Sequence, residues 1–154
     1  MKRALILPAV FALAFGVAWA APDPTPDDGK DPKKLEQARA ALERREWLRA
    51  EALLAETVRE NPGNAEAHNL YAFSIRKGPN PRMDVVFRHY NEALRMRPTH
   101  RGAHEYLGEA YLMTGNLAKA REHLAVLERL CGACDEQAKL AQAISTAERQ
   151  SAAK

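Results

Sequence analysis

From residue 32 onward, apolar side chains return every three or four positions, and the runs are broken by short clusters of Gly, Pro and Asn. That spacing puts the apolar groups on one face of an α-helix, and the breaks turn the chain back on itself. The pattern therefore predicts antiparallel pairs of amphipathic helices. It also repeats: segments 31–64, 65–100 and 101–134 align with one another and run to 34, 36 and 34 residues. A helix pair of that size cannot bury its apolar face alone, so each pair must lean on the next and the chain grows as a stack. Only 6% of the residues are aromatic, and Ala, Leu, Glu and Arg dominate, which suits close-packed helices better than sheets. The expected fold class is all-α.

The third segment is the most regular, "HEYLGEAYLMTGNLAKAREHLAVLERL". Leu107-Gly108, Tyr111, the turn residue Gly115, Ala120 and Leu124 stand at fixed offsets. Gly108 and Ala120 let two helices approach closely, while Tyr111, Leu124 and Leu127 fill the space around that contact. This set of offsets resembles the tetratricopeptide repeat (TPR). The second segment resembles it at His68, Tyr71-Ala72, Ile75, Tyr90, Ala93 and Pro98, with two extra residues in "KGPNP". Gly78, Pro79 and Pro81 forbid helix there and predict a protruding loop. The first segment fits at Ala38, Ala41, Ala50, Leu54 and Asn61-Pro62, but Gln37 and Arg45 stand where a leucine and a turn glycine are usual. A last stretch, 135–150, carries Ala138, Leu140, Ala141 and Ile144 on one face and reads as a capping helix. The resemblance implies a right-handed helical-repeat solenoid of three TPR-like hairpins plus a C-terminal capping helix, a domain over residues 32–150.

The first twenty residues, "MKRALILPAVFALAFGVAWA", place two cations before an apolar run that ends in Ala18-Trp19-Ala20, a small-x-small signal-peptidase pattern. The run is short of the roughly 20 residues that span a bilayer, and Pro8 and Gly16 interrupt it. A cleaved signal peptide over 1–20, cut after Ala20, is expected, followed by a flexible Pro- and Asp-rich linker over 21–31. Asp31 then caps a helix that begins at Pro32. The exported chain would be periplasmic or secreted, with no membrane attachment after cleavage. Without Lys2 and Arg3 it holds 21 basic and 20 acidic residues. That balance, with no basic run, argues against nucleic-acid binding.

Cys131 and Cys134 are the only cysteines. A c-type haem anchor needs His after the second cysteine, and Asp135 stands there. A zinc site needs four ligands, and the pair supplies two. In an oxidising compartment the expected state is a disulfide that fixes the hinge before the capping helix. An exchangeable thiol pair or a contact to copper or zinc is the competing reading, and it would make the protein a thiol-redox or metal-handling accessory. His68 and His104 occupy equivalent places and read as rings packed between helices.

The resemblance further implies a concave groove that binds a peptide or helix of another protein. Its lining would come from the first helix of each pair: Arg39 and Glu43, then Asn69, Phe73, Arg76 and Lys77, then Glu105, Glu109, Leu112 and Met113. Glu43, Glu105 and Glu109 are expected to face this open groove. The sequence shows no nucleophile-and-base constellation and no phosphate loop. The expectation is a binding protein, not an enzyme, with no cofactor or metal, and the pattern carries no signal for an oligomeric state.

Overall fold

The computed structural model describes residues 32–153. The expected signal segment, its cleavage after Ala20, the linker and the Asp31 cap lie outside the described residues. Seven helices follow in chain order: α1 (Pro32–Glu43), α2 (Trp47–Glu60), α3 (Ala65–Lys77), α4 (Met83–Met96), α5 (Arg101–Met113), α6 (Leu117–Cys131) and α7 (Asp135–Ala152). No strand occurs among the described residues. α1 packs with α2, α3 with α4 and α5 with α6, and α7 lies against both α5 and α6. The result is a helical-repeat solenoid of three hairpins closed by a seventh helix.

The helix ends follow from local chemistry. The Asn64 side chain accepts the Ala67 N–H and caps α3, Asn116 does the same for Lys119 on α6, and His100 caps α5 at Ala103. Such caps satisfy backbone donors that the first turn leaves open. The two shortest hairpin turns share one backbone solution. Gly115 has φ 76° and its counterpart in the first hairpin, Arg45, has φ 57°. The position thus demands a left-handed residue, and the first repeat meets the demand with a side chain that resists it.

Small residues let the helices meet: Ala38, Ala41, Ala50, Ala72, Ala93, Ala103, Ala110 and Ala120 are all fully buried. Leu54, Leu107, Leu127 and Leu140 fill the space between them, each also fully buried. Each such leucine stabilises the fold by about 1.5–3 kcal/mol. Gly108 is the most confined of the described glycines, because a Cβ there would stand 2.6 Å from Leu140 Cδ2. The capping helix is seated through Leu140 and Ile144. Ala138, expected on that face, is instead exposed, and Ala141, Ala143 and Ala147 are half-buried. The contact stripe is therefore rotated away from Ala138.

The insertion after α3 leaves Pro79, Asn80, Pro81 and Arg82 exposed, and Arg82 ties it back to Glu51 of α2 at 2.7 Å. At the other hinge, Cys131 ends α6 and Cys134 precedes α7, with their sulfurs at disulfide distance, 2.05 Å. Gly132, at φ 64°, makes the turn between them.

Two substitutions test these constraints. Arg45→Gly should raise stability by about 0.5–1 kcal/mol in chemical denaturation, because relief of a left-handed strain of about 1–2 kcal/mol outweighs the added freedom of the unfolded chain. A loss would show that the Arg45 side chain, not its backbone, matters there. Gly108→Ala should cost about 1–3 kcal/mol by overpacking. The double change with Leu140→Ala should cost less than the two single changes together.

Candidate functional site

The first helices touch in series: α1 meets α3, α3 meets α5, and α5 meets α7. They form one continuous face, and the expected groove residues sit on it at three depths. Arg39, Glu43, Lys77 and Met113 are exposed, Phe73, Glu109 and Leu112 are half-buried, and Asn69, Arg76 and Glu105 are buried. The expectation that Glu105 faces an open groove is thereby corrected: it is only 4% exposed. Its place on α5 turns it toward α3 and α7, so it belongs to the floor.

Arg76 organises the floor. Its Nη2 lies 2.7 Å from Glu109 Oε2, and its Nε donates to the Tyr90 hydroxyl at 3.3 Å. The guanidinium stands over two aromatic rings, 5.5 Å from the Phe73 centroid and 5.7 Å from that of Tyr106. Those two rings are themselves in contact, centroids 4.6 Å apart, and Trp47 meets the edge of Phe73 at 6.1 Å. A planar, weakly hydrated cation suits such a stack in a way that a lysine ammonium does not. Burial works against the Arg76 charge, but Tyr90 and Glu109 outweigh it and hold the guanidinium protonated.

The second floor carboxyl behaves differently. Burial pushes Glu105 up to about 7; Lys139 opposes the shift, and the neighbouring charges of Glu109 and Glu136 add to it. Toward the N-terminal end, Arg39 pairs with Glu66 at 3.1 Å. Glu66 also meets His100 Nε2 at 2.8 Å. The other ring nitrogen of His100 accepts the Ala103 N–H, so the proton sits on Nε2 and is donated to Glu66. Burial opposes the Glu66 charge, yet that hydrogen bond and the nearby cations Arg39 and Arg97 hold its carboxyl below the usual range.

At the C-terminal end the face deepens into a cavity of about 570 Å³ between α5 and α7. Leu112, Met113, Ala143 and Ala147 line it together with the polar Glu109, Lys139, Gln142, Thr146 and Gln150. The sequence pattern does not reveal that α7 contributes here. An 18-residue helix extending past the two-helix repeat is the signal that could have found it. Among the described residues, no group of three or more His, Cys, Asp and Glu is arranged to hold a metal ion. No helix among them is long and apolar enough to cross a membrane.

The tetratricopeptide repeat family model matches residues 35–73 and 88–138, together more than half of the chain. Among solved structures, the chain is similar to the TPR2B domain of yeast Sti1, in a structure of that domain's complex with pHsp70. The TM-score is 0.65 at 18% identity, over 77% of this chain and 98% of that one. No curated protein matches the chain.

Arg76→Ala should destabilise the protein by about 3 kcal/mol, since it strands Glu109 and empties the space between two rings. Arg76→Met together with Glu109→Gln should lose clearly less, as read from denaturation midpoints. Glu105 predicts a pH dependence of definite sign. Its folded pKa lies above the ordinary 4.5, so its contribution is present below that value and is lost as pH rises toward 7. Glu105→Gln should therefore gain stability relative to the parent above pH 7 and show no such gain near pH 4.5.

Proposed function

The chain belongs to the tetratricopeptide repeat family, and from that premise we propose that it is an exported adaptor whose concave face binds a peptide or helix of a partner protein. One observation carries the proposal. The face continues through α1, α3, α5 and α7 and ends in an open cavity of about 570 Å³ lined by both apolar and polar side chains, with Met113 53% exposed beside it. The similar yeast domain was solved in complex with pHsp70, which favours a protein as the occupant.

The mechanism is binding alone. A helix stack that is already ordered loses little freedom on capturing a segment, so the partner bears most of the ordering cost. Arg39 and Arg76 already have carboxylate partners, so the charges of the face steer and orient an occupant while the apolar end supplies area. The signal-like first twenty residues support export, into the periplasm or out of the cell, where the partner would be an exported protein or an envelope component. Cys131 and Cys134 act in this reading as a staple at the hinge of α7, and the groove as the working surface.

A photocrosslinking amino acid at Met113 should trap a discrete protein partner in cells of the native host, whereas the same group at Arg88, exposed on α4, should not. Equal labelling from both sites would overturn the groove as the binding surface. Met113→Ala with Phe73→Ala should weaken the captured complex at least tenfold while leaving helix content unchanged by circular dichroism. Residues 1–20 fused to a reporter should carry it out of the cytoplasm with cleavage after Ala20, and a retained, uncut fusion would remove the export part of the proposal.

A further inference from the structure

The same device occurs at equivalent places in the second and third hairpins. His68 on α3 meets His89 on α4 with their Nδ1 atoms 2.8 Å apart, and His104 on α5 meets His123 on α6 at 2.9 Å. On the far side, His68 Nε2 lies 3.2 Å from the Pro62 carbonyl oxygen, and His104 Nε2 lies 2.9 Å from that of Pro98. A carbonyl oxygen only accepts, so His68 and His104 carry their protons on Nε2 and present a lone pair at Nδ1. The proton in each gap therefore belongs to His89 or His123. Each bridge is a directed chain, helix to helix to the turn before the hairpin.

The geometry also says what fits in the gap. Ring centroids lie 4.9 Å and 5.2 Å apart, close to the nitrogen separation plus two ring radii, so the rings meet nitrogen to nitrogen. A tetrahedral zinc ion at about 2.0–2.1 Å from each nitrogen would hold the two about half an ångström farther apart and at an angle, not head-on. The gap has room for one proton.

We propose that the two bridges form an acid-sensitive latch, which holds α4 on α3 and α6 on α5 and opens when both rings of a pair become charged. The first added proton goes to the outward Nε2 of His89 or His123 and leaves the N–H···N bond intact. The second must go to Nδ1 of His68 or His104, and then two N–H groups and two positive charges face each other across the gap. Because two protons are needed per bridge, the response to pH is steep. His68 and His104 stand directly before the buried floor residues Asn69 and Glu105, so opening the latch disturbs the floor of the concave face.

The surroundings hold both pairs neutral. Near the first pair stand the edge of the Tyr71 ring, Arg88, Glu92 and Arg95, and Glu92 is already engaged by Arg95 at 2.7 Å. Near the second stand Tyr111, His100, Lys119, Glu122 and Arg129, with Glu122 held by Lys119 at 2.7 Å. Burial lowers all four histidines, His89 and His123 to about 4. The sign follows from linkage: folded values below the ordinary 6.5 leave the stabilisation complete above pH 6.5 and remove it as pH falls toward 4. Glu105 acts in the opposite direction, so Glu105→Gln is the background in which to read the latch.

The decisive measurement is imidazole nitrogen-15 NMR on this background across pH 7.5 to about 4. At neutral pH, His68 and His104 should show the Nε2–H form and His89 and His123 the Nδ1–H form, with none charged at pH 6. Protection factors, taken relative to the intrinsic exchange rate at each pH, should then fall at least tenfold in α4 and α6 as pH drops from about 6.5 to about 4.5, while those in α1 and α2, which hold no histidine, change less than threefold. Replacing His89 and His123 by Gln, whose amide can still donate into the gap, should at least halve the proton uptake that accompanies acid unfolding. Rings that titrate near the ordinary value, or protection that falls equally in all three hairpins, would overturn the latch. Should the double variant fail to fold, the ring titrations of the unsubstituted histidines decide alone.

Discussion

Where α5 crosses α7, a single hydrogen in place of a methyl lets the helices meet: a Cβ on Gly108 would stand 2.6 Å from Leu140. The same principle acts at the alanines buried between the paired helices. Close crossings bring backbones near enough for a few leucines to fill what remains, and they leave no slack for the larger side chains to move. The stack is therefore rigid where it is built of small residues. On the inner face Phe73, Tyr106 and Arg76 lie one on another.

That stack changes the meaning of the charges. Counted along the chain, the inner face has a basic middle and an acidic end. In the folded protein Arg76 is matched by Glu109, Arg39 by Glu66, and Glu66 in turn by His100. A buried charge such as Arg76 adds little net stability through its pair but is costly to strand, because the remaining partner is left charged and desolvated. These pairs fix the relative positions of α1, α3 and α5 more than they attract a ligand. The open part of the face lies between α5 and α7, where Leu112, Met113, Ala143 and Ala147 stand beside Glu109 and Lys139.

Much of this fold could be read in the sequence because helix periodicity and turn chemistry are local. The third hairpin, with Gly108, Gly115 and Ala120 at fixed offsets, stated its own geometry, and the prolines of "KGPNP" announced the interruption between α3 and α4. The site was less legible. Arg39, Asn69, Arg76 and Glu109 were placed on the right helices, yet whether each is floor or rim depends on the neighbouring repeat, which spacing within one repeat cannot show. Ala138 illustrates the same limit: a one-residue rotation of α7 decides whether it faces the core or solvent. The histidine bridges were hidden for a similar reason, although their separations of 21 and 19 residues differ by the two-residue insertion and so carried a trace of the pairing.

The sequence by itself determined that this chain forms helix hairpins, where each one turns, and that the hairpins must stack, because each of those outcomes follows from side chains a few residues apart. Only the tertiary structure decided which charges are neutralised, that Glu105 is buried, that α7 lines a cavity with α5, and which histidines share a proton. Those facts depend on distances between residues from different helices, and such distances are set by the packing of the whole stack rather than by any local run of residues.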